Sequence, residues 1–305
     1  MNIAIIGAGF SGCYLYNRFK KENHDIKIFE KSRGCGGRLS TKYIDDKFVD
    51  HGTPYFETNE PDFIYFANRL ERKGILRKEK NKYFPTNGIN KFCSSLINKQ
   101  DLIKQTKITK CVKKESLWYL YDEKSKCYEG FDLLILTIPA PQVLEMDIQI
   151  DDKIADDLSK VKYNSIATLI LHDDKEFKIN EDLYSSQFFK KVVNNSEKYN
   201  YKEFSSYVFH ANESFSTNNN DKNKEDLGVQ IYNYIDYFQK VKLPKSIYHI
   251  AHLWKYATVK QGLEYSYYLN KTRDLALCGD YFKKANLEGS FLSAKALGDE
   301  LSKKE

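Results

Sequence analysis

The chain has 305 residues, of which 41% are apolar or aromatic and 30% are charged, and its formal net charge is +6. This composition excludes a disordered chain, a collagen-like repeat and a coiled coil. The length allows one large or two medium domains, whose core needs neither a disulfide nor a metal. No apolar stretch of about 18 residues occurs, so we expect no transmembrane helix and a soluble, cytoplasmic protein.

The charge and the cysteines exclude further classes. Because 48 basic residues are offset by 42 acidic ones and no arginine-rich run occurs, we expect no nucleic-acid partner, although a modest attraction for a phosphate-bearing ligand remains open. The six cysteines form no CxxC pair and have no histidine at zinc-finger spacing. We therefore expect no metal site, no disulfide and a reducing compartment.

A strand, a glycine turn, a helix and a second strand open the chain. Asn2–Ile6 is a short apolar run, typical of a strand buried on both faces. The glycine turn 7–12 follows, and Cys13–Lys21 then has apolar residues at helical spacing. Ile26–Glu30 is a second predicted strand. This order predicts a βαβ unit with a right-handed crossover.

The next elements mix helices with a hairpin. Pro61–Arg72 is a predicted helix, since proline suits its first position and its apolar residues share one face. A second helix is predicted over 89–98. Ile108–Lys113 and Leu117–Tyr121 alternate like hairpin strands. Leu133–Leu136 is another predicted buried strand.

The middle third is rich in predicted strands, whereas the end of the chain again alternates a short buried strand with a helix. Strand-like segments rich in tyrosine, phenylalanine and isoleucine are Ser165–His172, Phe204–His210 and Ile247–Tyr256. A strand over 275–278 and a helix over 289–301 close the chain. The sequence therefore predicts one α/β domain built from both ends and interrupted by a more antiparallel insert.

The glycine turn has the spacing of a dinucleotide-binding loop. Gly7 allows the tight turn, Gly9 lets the backbone approach a pyrophosphate, and Gly12 lets the helix pack on the sheet. The positive end of the helix favours phosphate charge. Glu30 ends the next strand, where a carboxylate can accept hydrogen bonds from a ribose diol.

Two further motifs extend this site. The loop 34–40 holds three glycines and Arg38, which can donate a bidentate pair to a phosphate. A nicotinamide-only unit does not need this second loop, whereas a flavin dinucleotide, bound along its length, does. Near the C-terminus, Asp280 can bond hydroxyls of a ribityl chain, and Gly289 and Ser290 open a helix that can face an anion. Taken alone, Asp280 is more often a solvated acid, and Gly289 with Ser290 more often a helix cap, than parts of a ligand site.

His51 and the aromatic residues after it are open to two interpretations. A histidine beside a glycine is more often structural than catalytic, and His51 has Gly52 as its neighbour. Tyr55 and Phe56 are consistent with the core and equally with a pocket for a flat ligand.

Eight segments resemble the flavin amine oxidase superfamily and, within it, the renalase-like proteins. They extend over nearly the whole chain and are IIGAGFSGCYLYNRFK, IFEKSRGCGGRLSTKY, VDHGTPYF, YFPTNGINKF, FDLLILTIPAPQ, SYVFHANESFS, AHLWKYA and LALCGDYFKKANLEGSFLSAKALG. The glycine motifs occur in many FAD proteins. The segment VDHGTPYF, followed later by Trp254–Ala257, is more specific.

The resemblance implies a doubly wound, Rossmann-type FAD domain with an inserted mixed-sheet (α+β) substrate domain. The FAD domain would comprise residues 1–60, 84–150 and 268–305, and the substrate domain residues 61–83 and 151–267. FAD would be bound noncovalently, and Ile108 would contribute backbone to the adenine. The implied FAD contacts are Gly7, Gly9, Phe10, Ser11, Gly12, Glu30, Lys31, Gly37, Arg38, Leu39, Ile108, Gly279, Asp280, Glu288, Gly289 and Ser290.

The resemblance also implies an oxidase that takes a hydride from a small donor and passes the electrons to oxygen. The expected donor is an isomeric dihydronicotinamide dinucleotide, which becomes aromatic as it loses hydride and so needs no strong base. This fits a sequence without an obvious paired base or nucleophile motif, since the flavin supplies the chemistry. The predicted pocket residues are His51, Tyr55, Trp254 and Tyr281.

Two alternatives stay open. An amine oxidase or a desaturase of the same superfamily would use the same cofactor on another donor. A flavin-binding protein without turnover, acting through interaction or as a redox sensor, would need only the cofactor site.

Overall fold

The computed structural model describes residues 1–240 and 242–303. Its helices are α1 Phe10–Lys21, α2 Pro61–Arg72, α3 Asn90–Ser94, α4 Ala140–Leu144, α5 Asp152–Lys160, α6 Asn195–Tyr199, α7 Glu213–Asn218, α8 Lys224–Phe238 and α9 Leu287–Leu301. Its strands are β1 Asn2–Ile6, β2 Asp25–Glu30, β3 Thr41–Ile44, β4 Lys47–Asp50, β5 Phe56–Glu57, β6 Leu76–Glu79, β7 Lys82–Pro85, β8 Leu102–Lys104, β9 Ile108–Lys114, β10 Leu117–Asp122, β11 Cys127–Phe131, β12 Leu133–Leu136, β13 Asp147–Ile148, β14 Lys162–Asp173, β15 Phe189–Asn194, β16 Ser205–Ala211, β17 Tyr248–Gln261, β18 Tyr268–Leu269 and β19 Leu275–Leu277.

Most predicted elements are confirmed, but one helix is shorter than the apolar pattern predicts. The predicted strand–helix–strand opening is β1, α1 and β2, and the predicted helix Pro61–Arg72 is α2. The helix predicted over 89–98 is wrong in length, because α3 ends at Ser94. The Ser95 hydroxyl donates to the Phe92 carbonyl at 3.0 Å, and such side-chain bonds compete with helix continuation.

The chain divides into two compact units. The first contains Met1–Ser40, Tyr55–Lys162 and the described residues from Val259 onward, and the second contains Thr41–Pro54 and Tyr163–Thr258. Residues 61–83, predicted in the substrate domain, thus lie in the first unit, because α2 buries Phe63 in its core. Residues 41–54, predicted in the FAD domain, lie in the second unit. Residues 241, 304 and 305 of the predicted ranges lie outside the described residues.

A parallel sheet forms the centre of the first unit. Among the described residues its order is β18-β19-β12-β1-β2-β8, and every neighbouring pair is parallel except β18 with β19. The chain winds outward from β1 in both directions, so the carboxyl ends of β1 and β12 form the switch point where such sheets bind ligands. The glycine turn leaves β1 at this point.

The second unit has its own sheet, in the order β15-β16-β14-β17. β16 pairs antiparallel with β14 and with β15. One face packs against α8 through Leu227, Ile231 and Ile235. The other face carries Thr168 directly opposite His210.

A separate observation concerns membranes. In the part of the chain that the structure describes, no helix combines the length and the apolar composition that crossing a bilayer requires.

Candidate functional site

The structure requires glycine at two of the three positions of the turn, for different reasons. Gly7 has a φ of +105°, which favours glycine, and its N–H donates to the Phe29 carbonyl at 2.8 Å. A Cβ on Gly12 would lie 2.1 Å from the Gly7 carbonyl oxygen, so the fold itself excludes any side chain there. A Cβ on Gly9 would meet no atom of the described residues within 4 Å. The fold therefore explains Gly7 and Gly12 but not Gly9.

The N-terminus of α1 is positioned to accept an anion. Its N-cap is Gly9, and no side chain of the described residues caps it. The first N–H groups of a helix lack partners within the helix and carry its positive dipole end. The Phe10 side chain packs inside the core, 5.0 Å from the Phe92 ring, so only its backbone could contact a ligand. Ser11 donates from its hydroxyl to the Ser290 carbonyl at 3.1 Å, which brings α9 beside this end of α1.

Glu30 lies directly against the glycine turn. Its carboxylate accepts the Ala8 N–H at 2.9 Å and the Ser32 N–H at 2.7 Å. A carboxylate has room for about four hydrogen bonds, so it keeps capacity for ligand hydroxyls. The Thr106 N–H donates to the Glu30 carbonyl at 3.0 Å. Ile108, at the start of β9, follows two residues later, and its adenine contact stays a prediction.

Arg38 and Asp280 contact each other, which spacing along the sequence did not indicate. The guanidinium donates to both carboxylate oxygens, at 2.7 and 2.6 Å. The loop that carries Arg38 is held against the first turn by the Gly36 N–H, which donates to the Ala8 carbonyl at 2.8 Å. The predicted phosphate donor and the predicted hydroxyl acceptor therefore form one bidentate pair in this structure.

The residues predicted at the start of α9 have structural partners. Glu288 accepts from the Thr58 hydroxyl at 2.7 Å and the Asn59 N–H at 3.1 Å, and it pairs with Lys284. Burial alone would raise the pKa of Glu288, but Lys284 and these donors hold it below the usual value. The Gly289 N–H donates to the Asn286 side chain at 2.8 Å. Asn286 thus caps α9 and occupies the Gly289 N–H, so this group is not free for a ligand in this structure.

The remaining predicted cofactor residues vary in exposure. Lys31 is exposed, whereas Leu39 is buried. Gly37 has a φ of +56°, and the Gly279 N–H donates to the Ser293 hydroxyl at 3.0 Å. All of them lie in the first unit, and their contacts with a cofactor stay predictions.

Two of the predicted pocket residues, Tyr55 and Tyr281, belong to the first unit. Tyr281 is 2% exposed, and its ring centroid lies 4.6 Å from that of Phe282. The Tyr55 ring packs 5.2 Å from the Phe84 ring, and the Lys82 ammonium lies 4.9 Å from its centroid. Both tyrosines are thus held by aromatic packing.

The other two predicted pocket residues lie together in a histidine–tryptophan cluster of the second unit, which comprises His51, His210, His252 and Trp254. His51 stacks on Trp254 with centroids 5.4 Å apart, and the His252 ring lies 4.2 Å from Trp254. Within the described residues, the buried Trp254 Nε1 has no hydrogen-bond partner. Sequence reasoning missed His210 and His252. His252 stands two residues before Trp254, and this period-two spacing would have placed both on one face of a strand.

Burial keeps this cluster uncharged at neutral pH. It lowers the pKa of His51 to about 4, and the neighbouring His252 acts in the same direction. It lowers the pKa of His210 to about 3, with further lowering by Lys191 and His51. The His210 Nδ1 lies 3.2 Å from the Thr168 hydroxyl, while its buried Nε2 has no partner in the described part of the chain. The cluster offers polar edges and flat rings without charge.

The cluster predicts a loss of stability in acid. Because the pKa of His210 is depressed in the folded state, the unfolded chain gains a proton below about pH 6.5 while the folded chain does not. Stability is therefore intact above that pH and falls as the pH drops towards about 3. We expect His210→Gln to reduce this slope by about 1 kcal/mol per pH unit, close to the limit for one group. Urea unfolding of the variant and of the parent chain between about pH 6 and pH 4 measures it. Equal slopes in the two proteins would contradict the prediction.

The sequence comparisons match the N-terminal part of the chain. The model of the NAD(P)-binding Rossmann-like domain family matches residues 5–70, which contain the glycine turn and Glu30. Achacin of Lissachatina fulica is 30% identical over 81 residues, which is 27% of this chain and 14% of achacin. The chain thus matches only a small part of that relative.

Solved structures match nearly the whole chain. A protein of Exiguobacterium sp. 255-15, proposed to be a protoporphyrinogen oxidase, superposes with a TM-score of 0.75 at 10% identity and 98% coverage of both chains. A redesigned putrescine oxidase has a TM-score of 0.65 at 9% identity and 98% coverage of both. A CLA-producing fatty acid isomerase of P. acnes has a TM-score of 0.65 at 11% identity, covering 98% of this chain and 97% of the isomerase. These comparisons confirm the predicted fold class: a mixed α/β chain with a Rossmann-type NAD(P)-binding domain and the fold of FAD-dependent oxidoreductases.

Proposed function

We propose that this chain is a FAD-dependent oxidoreductase of the flavin amine oxidase type. The observation that carries the proposal is the glycine turn at the switch point of the parallel sheet. There, α1 has an uncapped N-terminus and Gly9 has open space, so a pyrophosphate fits where a side chain would otherwise stand.

The residues around the turn fit the rest of a dinucleotide. The α1 amides would hold the pyrophosphate, and Glu30 would accept hydrogen bonds from ribose hydroxyls. Arg38 and Asp280, placed as one pair, would supply a donor and an acceptor to the phosphates and the ribityl chain. FAD, when bound noncovalently, would accept a hydride from an organic donor and pass the electrons to oxygen.

We propose that the donor is an isomeric dihydronicotinamide dinucleotide. Support comes from the histidine–tryptophan cluster, whose histidines burial keeps neutral and whose rings suit a flat, uncharged ring. Trp254 would stack on the donor, and its Nε1 would donate to a carbonyl group. Tyr55 and Tyr281 stay proposed pocket residues of the first unit. A cationic amine gains no carboxylate from the members of this cluster, which favours the nicotinamide over the amine.

The test begins with the absorption spectrum of the purified chain. We expect a yellow protein whose flavin is released by denaturation, because the bond is noncovalent. Anaerobic mixing with isomeric dihydronicotinamides should bleach the flavin rapidly, and admitting oxygen should restore the colour and yield hydrogen peroxide. Trp254→Phe should keep the flavin but slow bleaching about tenfold, which is about 1.4 kcal/mol of lost stabilisation. Tyr248→Phe, an exposed aromatic change on the same strand, should have no effect.

The outcomes separate the alternatives. Bleaching by diamines and not by dihydronicotinamides would replace the proposed donor with an amine. Flavin binding without reduction by any donor would favour a sensor. A colourless protein that takes up no FAD would overturn the whole proposal.

A further inference from the structure

A groove of about 380 Å³ lies among α1, α2 and α9 of the first unit. Three aromatic rings form its floor. The Tyr14 ring centroid lies 5.4 Å from that of Phe66 and 5.1 Å from that of Phe291, and the two phenylalanine rings are 6.0 Å apart. The 65%-exposed Tyr65 stands at the rim. The Tyr14 ring stands at 71° to the Phe66 ring and at 70° to the Phe291 ring, so the floor is apolar and aromatic without being flat. The volume of the groove is in the range of small-molecule sites.

Part of the charge around the groove is neutralised internally. Arg18 pairs with Asp299 at 2.5 Å and with Glu22 at 3.3 Å. Lys295 pairs with Asp62 at 3.2 Å and with Asp299 at 3.0 Å. These ion pairs neutralise the carboxylates Glu22 and Asp62 that line the groove.

Two cations remain without such partners. Within the described residues, neither Lys21 nor Arg69 has a carboxylate at ion-pair distance, although both line the groove. Burial lowers the pKa of Lys21, and the positive charges of Arg69 and Lys73 lower it further. The C-terminal ends of α1 and α2 favour cations, which explains their presence there. It does not explain why two helices direct unpaired cations into one groove.

We infer that this groove binds a small organic anion with an aromatic body. That body would pack among the rings of Tyr14, Phe66 and Phe291, and its carboxylate or phosphate would bridge Lys21 and Arg69. An anion there relieves the repulsion between like charges, and Arg69 can hold it with two N–H groups. None of these five residues is a predicted FAD contact, so the groove is proposed as a second site besides the proposed flavin site.

The test compares two ligands that differ in charge alone. A fluorinated naphthoate and the matching naphthamide are titrated into the full chain supplied with FAD, and binding is followed by fluorine NMR. We expect the acid to bind about tenfold more tightly than the amide. Arg69→Gln and Lys21→Gln should each weaken binding of the acid about tenfold. Arg72→Gln, the same charge change on α2 outside the groove, should alter it less than about twofold.

Any of three results would overturn the inference. They are equal affinity for acid and amide, an equal loss in Arg72→Gln and Arg69→Gln, or no binding of the acid at millimolar concentration. Thermal melting of each variant shows whether it is folded. Glutamine is a good helix former, so the exposed Lys21 and Arg69 positions should tolerate it.

Discussion

Gly9→Ala should abolish flavin binding while leaving the fold intact. The backbone of Gly9 has a φ of −72° and a ψ of −176°, which alanine adopts without strain, and its Cβ would meet no atom of the described residues within 4 Å. We expect the free energy of unfolding to stay the same or to rise by up to about 1 kcal/mol. The methyl group would stand where the pyrophosphate approaches, so the dissociation constant for FAD should rise at least about a hundredfold.

Gly12→Ala provides the contrast, because it should lower the free energy of unfolding. Its Cβ would lie 2.1 Å from the Gly7 carbonyl oxygen and 2.9 Å from the Thr137 hydroxyl. Neither the backbone carbonyl nor the packed helix can yield easily, so we expect a loss of about 3 kcal/mol or more. Denaturant unfolding and titration with FAD separate the two effects. Full flavin binding by Gly9→Ala would show that the turn is not the cofactor site.

This contrast also shows what the sequence can and cannot predict. The spacing Gly7, Gly9, Gly12 and Glu30 predicts a dinucleotide turn because local backbone geometry alone determines it. The spacing does not show that packing within the fold requires glycine at position 12 but not at position 9. That difference depends on which backbone atoms approach each Cα in space.

Contacts between distant segments were beyond sequence reasoning for the same reason. Arg38 and Asp280 are separated by 242 positions, and each alone is compatible with several partners. The cofactor contact of Glu288 stays a prediction, and its hydrogen bonds to Thr58 and Asn59, on a segment 229–230 positions away, were not predicted. His210 and His252 join His51 only because the sheet of the second unit brings three separate segments together.

Replacing Lys198 with methionine should destabilise the protein by about 3–5 kcal/mol. Its ammonium pairs with Asp50, and the side chains of the two residues are only 6% and 0% exposed. The ammonium also donates to the Pro54 carbonyl at 2.6 Å. Removing it leaves the buried Asp50 carboxylate with the Thr41 and Tyr199 hydroxyls at 2.6 and 2.5 Å but without the Lys198 cation. Breaking one half of a buried ion pair costs this much because the remaining charge has lost its compensation.

Two further variants show whether the cost comes from the uncompensated charge. The double variant Asp50→Asn/Lys198→Met removes both charges and should recover most of the loss, since a neutral amide is far cheaper to bury. Lys160→Met, which breaks the exposed pair with Asp156, should change the free energy of unfolding by less than about 0.5 kcal/mol. A Lys198→Met variant as stable as the parent chain would contradict the buried pair. Since Asp50 directly precedes His51, we expect the same pair to help hold His51 in the histidine–tryptophan cluster. The partly recovered double variant is therefore expected to bind flavin normally but to be reduced more slowly by donors than the parent chain.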